Sequence, residues 1–391
     1  MEYNPFLPEV RENPYPYYAY LRQHAPVYPV PGVGFWAISR YDDVSYILRN
    51  PQLFSSSIIV TAFIGDLNPF PPKAPPIIAY DPPDHTRLRK LVNRAFTPRR
   101  VASLEQHIRA VTRDLIERIP AQGEFDLVRE LSGPLPTITI AELLGVPPER
   151  RDDFKRWADA AVRASNGMAT PPEAREEFRQ SMGALFAYFR EAIGGYRKKP
   201  GDNLLSDLVR AEEENQRLTA DEVLSMGVFL IGAGSETTTN LIANAMLALC
   251  AHPEQLAQVR ANPALIANLI EETLRYDGPV QLLFRQATQE VELAGTKIPA
   301  GSPVLFLLGS ANRDERKFPE PERFDILRST DGHVGFGFGV HFCLGAQLAR
   351  LEAKVALEAL LGRFPSLVRK EEQVTRVESP ALRGPKTLPL V

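Results

Sequence analysis

The sequence predicts a mainly α-helical fold with small β-sheets, built as a single domain over residues 1–391. Helical patterns dominate from about His85 to Cys250, whereas strand-like alternation is confined to short stretches such as 27–39 and 290–308. No internal repeat, low-complexity tract or linker divides the sequence. These observations favour one helix-rich domain over several separate ones.

The composition is that of a globular protein, with 44% hydrophobic and 24% charged residues. A formal net charge of −3 gives the whole molecule no electrostatic attraction to nucleic acid. Two cysteines, Cys250 and Cys343, are too few for a disulfide framework and suit a reducing cytoplasm. The first residues combine no basic start with an apolar run, so we expect neither a signal peptide nor a membrane anchor.

One long helix is predicted at the centre of the chain. Thr219 and Glu222 have the spacing of a capping box, and no proline follows until Pro253. The helix should therefore contain roughly 30 residues and span about 45 Å. The charge-free stretch 223–235 is apolar nearly all round, which predicts a core helix, and Glu236 directly after it argues against a membrane span.

Shorter elements flank this helix. Residues 1–16 are rich in Pro and Asn and are predicted to wrap the surface. Residues 52–80 contain many prolines and few charges, which predicts a long irregular loop over an apolar region. Pro263 begins a helix that ends near Tyr276, and residues 344–364 form another.

The strongest chemical signal is the run F-G-F-G-V-H-F-C-L-G at residues 336–345, which centres on Cys343. Glycines before the cysteine permit tight turns and leave backbone N–H groups free to point at the sulfur. The helix that follows places its positive end nearby. Both effects favour a thiolate, which is the form of cysteine that binds metals.

Two other interpretations of this run compete with that of a metal ligand. Gly335, Gly337 and Gly339 could belong to a nucleotide loop, but the spacing is G-x-G-x-G and no strand–helix unit surrounds it. A cysteine–histidine nucleophile is also conceivable. His341, however, lies only two residues from Cys343, and no hydrolase signature surrounds the pair.

A second signal is the E-x-x-R element of Glu272 and Arg275, which are neighbours on one helix face. Alone it predicts no more than an ion pair. About fifty residues later the sequence P-E-R-F contains Arg323.

A third signal is A-G-S-E-T-T at residues 233–238, within the long helix. Small residues there leave room for a ligand to approach the backbone. The Thr237 hydroxyl can bond the Ala233 carbonyl four residues back, which would loosen the helix locally. A carboxylic acid beside a hydroxyl, Glu236 beside Thr237, predicts a proton relay.

A fourth signal begins at Asp81. His85 and Arg89 flank an apolar helical stripe together, and the opposite side of this helix carries three further basic residues, Arg87, Lys90 and Arg94. Histidine and arginine donors suit carboxylate ligands, and arginine can bind them in a fork.

Together these motifs resemble those of the cytochromes P-450, and the resemblance covers nearly the whole chain in the family's order. It is closest to the soluble bacterial members. It implies haem b as cofactor, with Cys343 as the ligand to the iron, and a buried structural cluster of Glu272, Arg275 and Arg323. The further cofactor contacts that it implies are Ala233, Phe336 and the propionate partners His85, Arg89, Arg285 and His341.

The resemblance also implies a monooxygenase that hydroxylates or epoxidises a mainly apolar small molecule with O₂. Glu236 and Thr237 would deliver protons, and a separate ferredoxin or flavodoxin with its NAD(P)H reductase would supply two electrons. An H₂O₂-dependent peroxygenase and a non-enzymatic gas-binding haem protein are the alternatives. We expect a cytoplasmic monomer without nucleic-acid or membrane partners.

Substrate and partner surfaces are predicted as well. Arg163 is expected to meet a polar end of the substrate. An acidic redox partner is expected to bind the outward face of Arg87, Lys90 and Arg94. The predicted substrate pocket is drawn from 58–70, 161–168, Phe229, Ala233, Val280, Leu283 and Ala381.

Overall fold

The computed structural model describes residues 1–93, 96–164, 170–213, 218–371 and 373–391. It confirms the predicted fold class, because helices dominate these ranges and the strands form small sheets. The helices are α1 (Pro8–Glu12), α2 (Tyr15–His24), α3 (Tyr41–Arg49), α4 (Ile59–Ile64), α5 (Asp84–Val92), α6 (Pro98–Ser103), α7 (Glu105–Arg118), α8 (Pro134–Leu143), α9 (Arg151–Arg163), α10 (Pro172–Lys198), α11 (Leu204–Glu213), α12 (Ala220–Ala251), α13 (Pro253–Ala261), α14 (Ile266–Tyr276), α15 (Leu308–Ala311) and α16 (Ala346–Arg363).

The main sheet has five strands in the order β1-β2-β8-β5-β3. Only β2 and β8 run parallel within it, and its other pairs are antiparallel. The pairs β4-β9 and β6-β7 form two further antiparallel sheets. The strands are β1 (Val27–Pro29), β2 (Trp36–Ile38), β3 (Phe54–Ser55), β4 (Phe125–Asp126), β5 (Leu283–Ala287), β6 (Val291–Leu293), β7 (Thr296–Ile298), β8 (Pro303–Phe306) and β9 (Pro389–Leu390).

The long central helix α12 is confirmed, with 32 residues and most of its side chains buried. Both halves of the capping box form: the Thr219 side chain accepts from the Glu222 N–H, and the Glu222 carboxylate accepts from the Thr219 N–H. The helix packs against α8, α9, α10, α14 and α16, so it organises the helical core. No helix of the described ranges is long and apolar enough to cross a membrane.

Two predictions about irregular segments were wrong. Residues 52–80 contain β3, α4 and short 3-10 turns at Gly65–Leu67 and Ile77–Ala79, because the first part of this stretch lacks proline and can form hydrogen-bonded turns. Residues 1–16 do not merely wrap the surface. They include α1, and the side chains of Tyr3 and Val10 are buried in a core cluster.

Candidate functional site

The cysteine loop is held by its own backbone and by α3. The N–H of Cys343 donates to the carbonyl of Phe336 at 2.9 Å, which closes the loop. Gly339 has a φ of +71°, and a Cβ on it would lie 2.5 Å from the carbonyl oxygen of Leu48 in α3. A side chain at this position would therefore meet both backbone strain and a clash.

Cys343 is half-buried, and burial raises the pKa of its thiol. The N–H of Gly345 and the positive charges of Arg89 and Arg350 act in the opposite direction and favour the thiolate. The sequence pointed to glycines before the cysteine as donors, but the donor is Gly345, which follows it. Helix α16 begins one residue later, as predicted, so its N-terminal end lies beside the loop.

The structure brings His85, Arg89, Arg285 and His341 together, as the sequence predicted. The rings of His85 and His341 lie 4.1 Å apart between centroids. Arg89 donates to the carbonyl of Phe342 at 2.7 Å, which ties α5 to the cysteine loop. Arg285 comes from β5, where its side chain is buried.

This basic pocket carries unbalanced positive charge. Burial first, and then the charge of Arg89, lower the pKa of His85 to about 4. Burial, Arg285, His85 and Arg89 lower the pKa of His341 to about 2, and burial lowers that of Arg285 to about 10. His85 is 2% exposed, and neither of its ring nitrogens has a hydrogen-bond partner among the described residues. Such groups are the ones that a buried anionic ligand would satisfy.

A residue that the sequence reasoning missed also faces this pocket. The Ser56 hydroxyl lies 3.0 Å from the His341 Nε2 atom, and the Ser56 N–H donates to Asp81. Ser56 directly follows β3 in the stretch that was predicted to be irregular. Its only sequence signal was its place in the run S-S-S-I, so no local pattern could have identified it.

One face of α12 carries Phe229, Ala233 and Thr237 at intervals of four residues. These three residues are partly or fully exposed, although most of the helix is buried. Thr237 donates its hydroxyl to the Ala233 carbonyl at 2.8 Å, as predicted, yet the helix continues through this point without a break. Gly234 lies on the packing side instead, because a Cβ there would come within 3.0 Å of the Ile140 side chain in α8.

Glu236 is directed away from the Thr237 hydroxyl. Its carboxylate accepts a hydrogen bond from Asn240 Nδ2 at 3.2 Å. Burial and Asp159 raise the pKa of Glu236, whereas Lys155 lowers it, so the carboxyl faces α9. Within the ranges that the structure describes, no hydrogen bond joins Glu236 to Thr237. The relay proposed from the sequence would therefore need water or a side-chain rotation.

The Glu272–Arg275 ion pair is buried, with Nε to Oε2 at 2.7 Å. Arg323 was predicted to be the third member, and this was wrong because its side chain is 62% exposed and only its carbonyl accepts from Arg275. Arg328 takes that place: it is 10% exposed, and its Nε lies 3.3 Å from Glu272 Oε1. Which arginine approaches Glu272 depends on the path of the backbone over residues 319–328, and the P-E-R-F pattern does not specify that path.

Two basic residues form ion pairs that the sequence did not predict. Arg87 does not belong to an outward face, because it forms a partly buried ion pair with Glu222 at the start of α12. Arg163 forms an exposed ion pair with Glu177 of α10. Arg94 and the predicted pocket residues 165–168 lie outside the described residues.

The apolar residues of the predicted pocket fall into adjoining clusters. Ile58, Val60, Phe63 and Leu283 pack around a core cluster that includes Ala381. Three further members of the prediction, Ile64, Phe70 and Phe229, pack against the large helical core, and Val280 packs against a cluster beside the main sheet. The structure therefore brings Ile58, Val60, Phe63, Leu283 and Ala381 together, whereas Ile64, Phe70, Phe229 and Val280 pack against different clusters.

The fold, the cysteine in its glycine loop and the basic pocket beside it define a P450-type monooxygenase. The cytochrome P450 family model matches residues 168–390, and the chain belongs to this family. It is 41% identical over 388 residues to the vitamin D(3) 25-hydroxylase of Pseudonocardia autotrophica, covering 97% of this chain and 94% of that one.

Solved structures agree with this assignment. CYP109Q5 from Chondromyces apiculatus matches with a TM-score of 0.91 and 44% identity, over 100% of this chain and 97% of that one. CYP109E1 from Bacillus megaterium, in complex with testosterone, matches with a TM-score of 0.89 and 36% identity, over 98% of each chain.

Membership of this family implies a haem cofactor, and the residues present fit one. Among the described residues, no group of three or more His, Cys, Asp or Glu side chains could hold a bare metal ion. The basic pocket with its unpartnered His85 nitrogens suits the carboxylates that haem carries.

Proposed function

We propose that this monooxygenase carries haem b, with the Cys343 thiolate as the ligand to the iron. The observation that carries the proposal is the basic pocket beside the cysteine loop, where the His85 ring nitrogens lack a partner among the described residues. The two propionates would be held by His85, Arg89, Arg285 and His341, which would cancel the positive charge gathered there.

Ala233 and Phe336 would contact the porphyrin from α12 and from the cysteine loop. When bound, the haem supplies the activation of O₂ and the oxidation of the substrate. The chain contributes a thiolate that the Gly345 N–H and the N-terminal end of α16 stabilise. On the exposed face of α12, the Thr237 hydroxyl would hold the group that donates the proton. The half-buried Glu236 carboxyl would supply protons to that group.

The first experiment compares the two cysteines. In Cys343→Ser the ferrous–CO complex should lose the far-red-shifted Soret band of a thiolate ligand. Cys250→Ser is the matched control, because its thiol donates only a long contact to the Leu367 carbonyl and should leave the band unchanged. Retention of the band in Cys343→Ser would contradict the assignment of the ligand.

We further propose that the substrate is a mainly apolar small molecule that is hydroxylated or epoxidised. The apolar cluster around Phe63, Leu283 and Ala381 supports this, since burial of apolar surface is the main source of affinity in such pockets. The two relatives reported above act on vitamin D3 and bind testosterone, by their names. A screen for haem spectral shifts should therefore favour polycyclic apolar compounds over small, highly charged ones.

Electrons would come from a separate ferredoxin or flavodoxin with its NAD(P)H reductase. Beside Cys343 the side chains of Phe338, Val340 and Phe342 are exposed, and Lys90 is exposed on α5. An acidic partner with an apolar centre would suit this surface. Lys90→Glu should slow reduction of the enzyme at low ionic strength without changing substrate binding. Reduction that ignores both salt and this substitution would contradict the docking surface.

The peroxygenase alternative has one observation in its favour, which is the orientation of Glu236 toward Asn240 rather than Thr237. Product formation driven by the redox partner and by H₂O₂ should be compared directly. We propose that the reaction driven by the reductase is the faster one.

We also propose that residues 1–391 act as one domain and that the protein is a cytoplasmic monomer. The location is supported by the two free cysteines.

A further inference from the structure

A second pocket of about 620 Å³ lies between α2, the C-terminal end of α12, the end of α14 and the segment 369–383. None of its lining residues belongs to the cysteine loop, the basic pocket or the exposed face of α12. Part of its wall is apolar, formed by residues such as Leu247, Ala248 and Val374. Besides Tyr15 and Tyr276, the ionisable residues of its described lining are His252, Asp277, Arg313, Glu322, Arg369, Arg376 and Arg383.

Among the described residues that line this pocket, four arginines face two carboxylates, so their charges do not balance. Asp277 is buried, and its carboxylate is shared: it accepts from Arg383 Nε at 2.7 Å and from Tyr15, and it lies 3.4 Å from Arg376. Although burial alone would raise the pKa of Asp277, Arg383 and Arg376 hold it well below its usual range. The single negative charge of Asp277 is therefore shared between the guanidinium groups of Arg383 and Arg376.

Glu322 is also shared, because it pairs with Arg313 and lies 3.6 Å from Arg22 outside the pocket lining. Arg313 is fixed in addition by two aromatic rings, with its guanidinium carbon 3.5 Å from the centroid of Tyr15 and 3.9 Å from that of Tyr276. These contacts leave Arg313 little freedom to bind anything else.

Arg369 and Arg376 are held less firmly than the other two arginines. Arg376 is 18% exposed, and its hydrogen bonds are long: 3.4 Å to Asp277 and 3.5 Å to Asn244. Burial and the neighbouring Arg383 lower its pKa, although Asp277 opposes them. In the described part of the chain the Arg369 guanidinium forms no ion pair, whereas its backbone pairs with Leu390. Both side chains therefore keep donors available to the pocket.

We propose that this pocket binds an oxyanion, the phosphate or carboxylate group of a small molecule, through Arg369 and Arg376. A guanidinium presents parallel N–H donors that match the oxygens of such groups, and two arginines on one anion share its charge. The apolar wall at Leu247 and Val374 would contact the remainder of an organic ligand. This site is independent of the proposed haem site.

The test uses the purified holoenzyme in chloride buffer, with ionic strength held constant by NaCl. Titration calorimetry and thermal unfolding followed by circular dichroism are measured with inorganic phosphate and, separately, with acetate. We expect saturable binding of at least one of them and a rise in melting temperature that follows its occupancy. Phosphate binding alone defines a phosphate site, and binding of both defines a general oxyanion site. Binding of neither overturns the proposal.

Two substitutions locate the binding. Arg369→Gln and Arg376→Gln should each weaken the affinity at least tenfold, whereas Arg129→Gln, an exposed control in another part of the chain, should not. Arg376→Gln could also disturb the contact with Asp277, so its melting temperature without anion is recorded. Among the described residues Arg369 forms no such contact, so the anion affinity of Arg369→Gln alone tests the proposal. Unchanged affinity in Arg369→Gln overturns the proposal, and an intact ferrous–CO band in each variant shows that the haem site is unaffected.

Discussion

Replacement of Arg328 by glutamine is the most direct test of the structural cluster around Glu272. The guanidinium of Arg328 donates to the carbonyl oxygens of Pro319, Glu320 and Arg323. Its Nε lies 3.3 Å from the buried Glu272 carboxylate. Arg328 thus connects the turn of residues 319–323 to Glu272 in α14. This turn precedes the cysteine loop in the chain.

The expected loss in the free energy of unfolding follows from the contacts of Glu272 that remain after the substitution. Glu272 keeps both hydrogen bonds from Arg275 and one from the Asp325 N–H, so it is not left as an unpaired buried charge. What is lost is a set of charge-assisted hydrogen bonds to carbonyls, part of which glutamine and water can replace. We expect Arg328→Gln to lower the free energy of unfolding by about 2 kcal/mol.

Arg323→Gln is the matched control, because the sequence resemblance assigned to Arg323 the role that the structure gives to Arg328. Its side chain is 62% exposed and pairs with the exposed Glu320, so the loss should stay below about 1 kcal/mol. Urea unfolding of both holoenzymes, followed by circular dichroism and by loss of the ferrous–CO band, measures the difference. Equal losses, or a larger loss in Arg323→Gln, would refute the reasoning.

Three further predictions concern the loop, the relay and acid stability. Gly339→Ala should abolish stable haem binding because of its φ of +71°, whereas Gly345→Ala, with open space around its Cβ, should retain the ferrous–CO band. Thr237→Ala should lower product formed per NAD(P)H consumed and raise peroxide; unchanged coupling would remove the hydroxyl from the relay. Although burial would raise the pKa of Glu271, hydrogen bonds from Arg350 and then His333 lower it from 4.5 to about 2. Stability from this pair is therefore complete above pH 4.5 and lost as the pH falls toward 2, so urea unfolding of Glu271→Gln should show a weaker acid dependence in that window.

Features encoded by neighbouring residues were predictable from the sequence. The capping box at Thr219 and the absence of proline fixed both the start and the length of α12. The requirement for glycine at Gly339 is likewise local, although the clashing atom, the Leu48 carbonyl oxygen, belongs to a distant helix. The gathering of His85 and Arg285 from α5 and β5 depended on the family resemblance, because no spacing rule joins residues so far apart.

Errors in the predicted direction of a side chain arose where its partner lies on a different helix. Arg87 was assigned outward from its place on the helical wheel, yet the capping residue Glu222 offers it a buried carboxylate. A wheel gives the direction in which a side chain leaves its own helix and says nothing about the neighbouring helix. The ion pair of Arg163 with Glu177, which joins α9 and α10, likewise could not be deduced from the helical wheel.

The same geometry explains why the relay cannot be deduced from adjacency. Consecutive residues of an α-helix leave it about 100° apart, so Glu236 and Thr237 must face different surroundings. Thr237 shares the exposed face of α12 with Ala233, while Glu236 faces Lys155 and Asp159 of α9. A proton that reaches Thr237 from Glu236 therefore has to pass around the helix, by water or by rotation of the Glu236 side chain. Rotation of the side chain would break the hydrogen bond from Asn240 Nδ2 to Glu236 Oε1, whereas a water chain that starts from Oε2 would leave that bond intact.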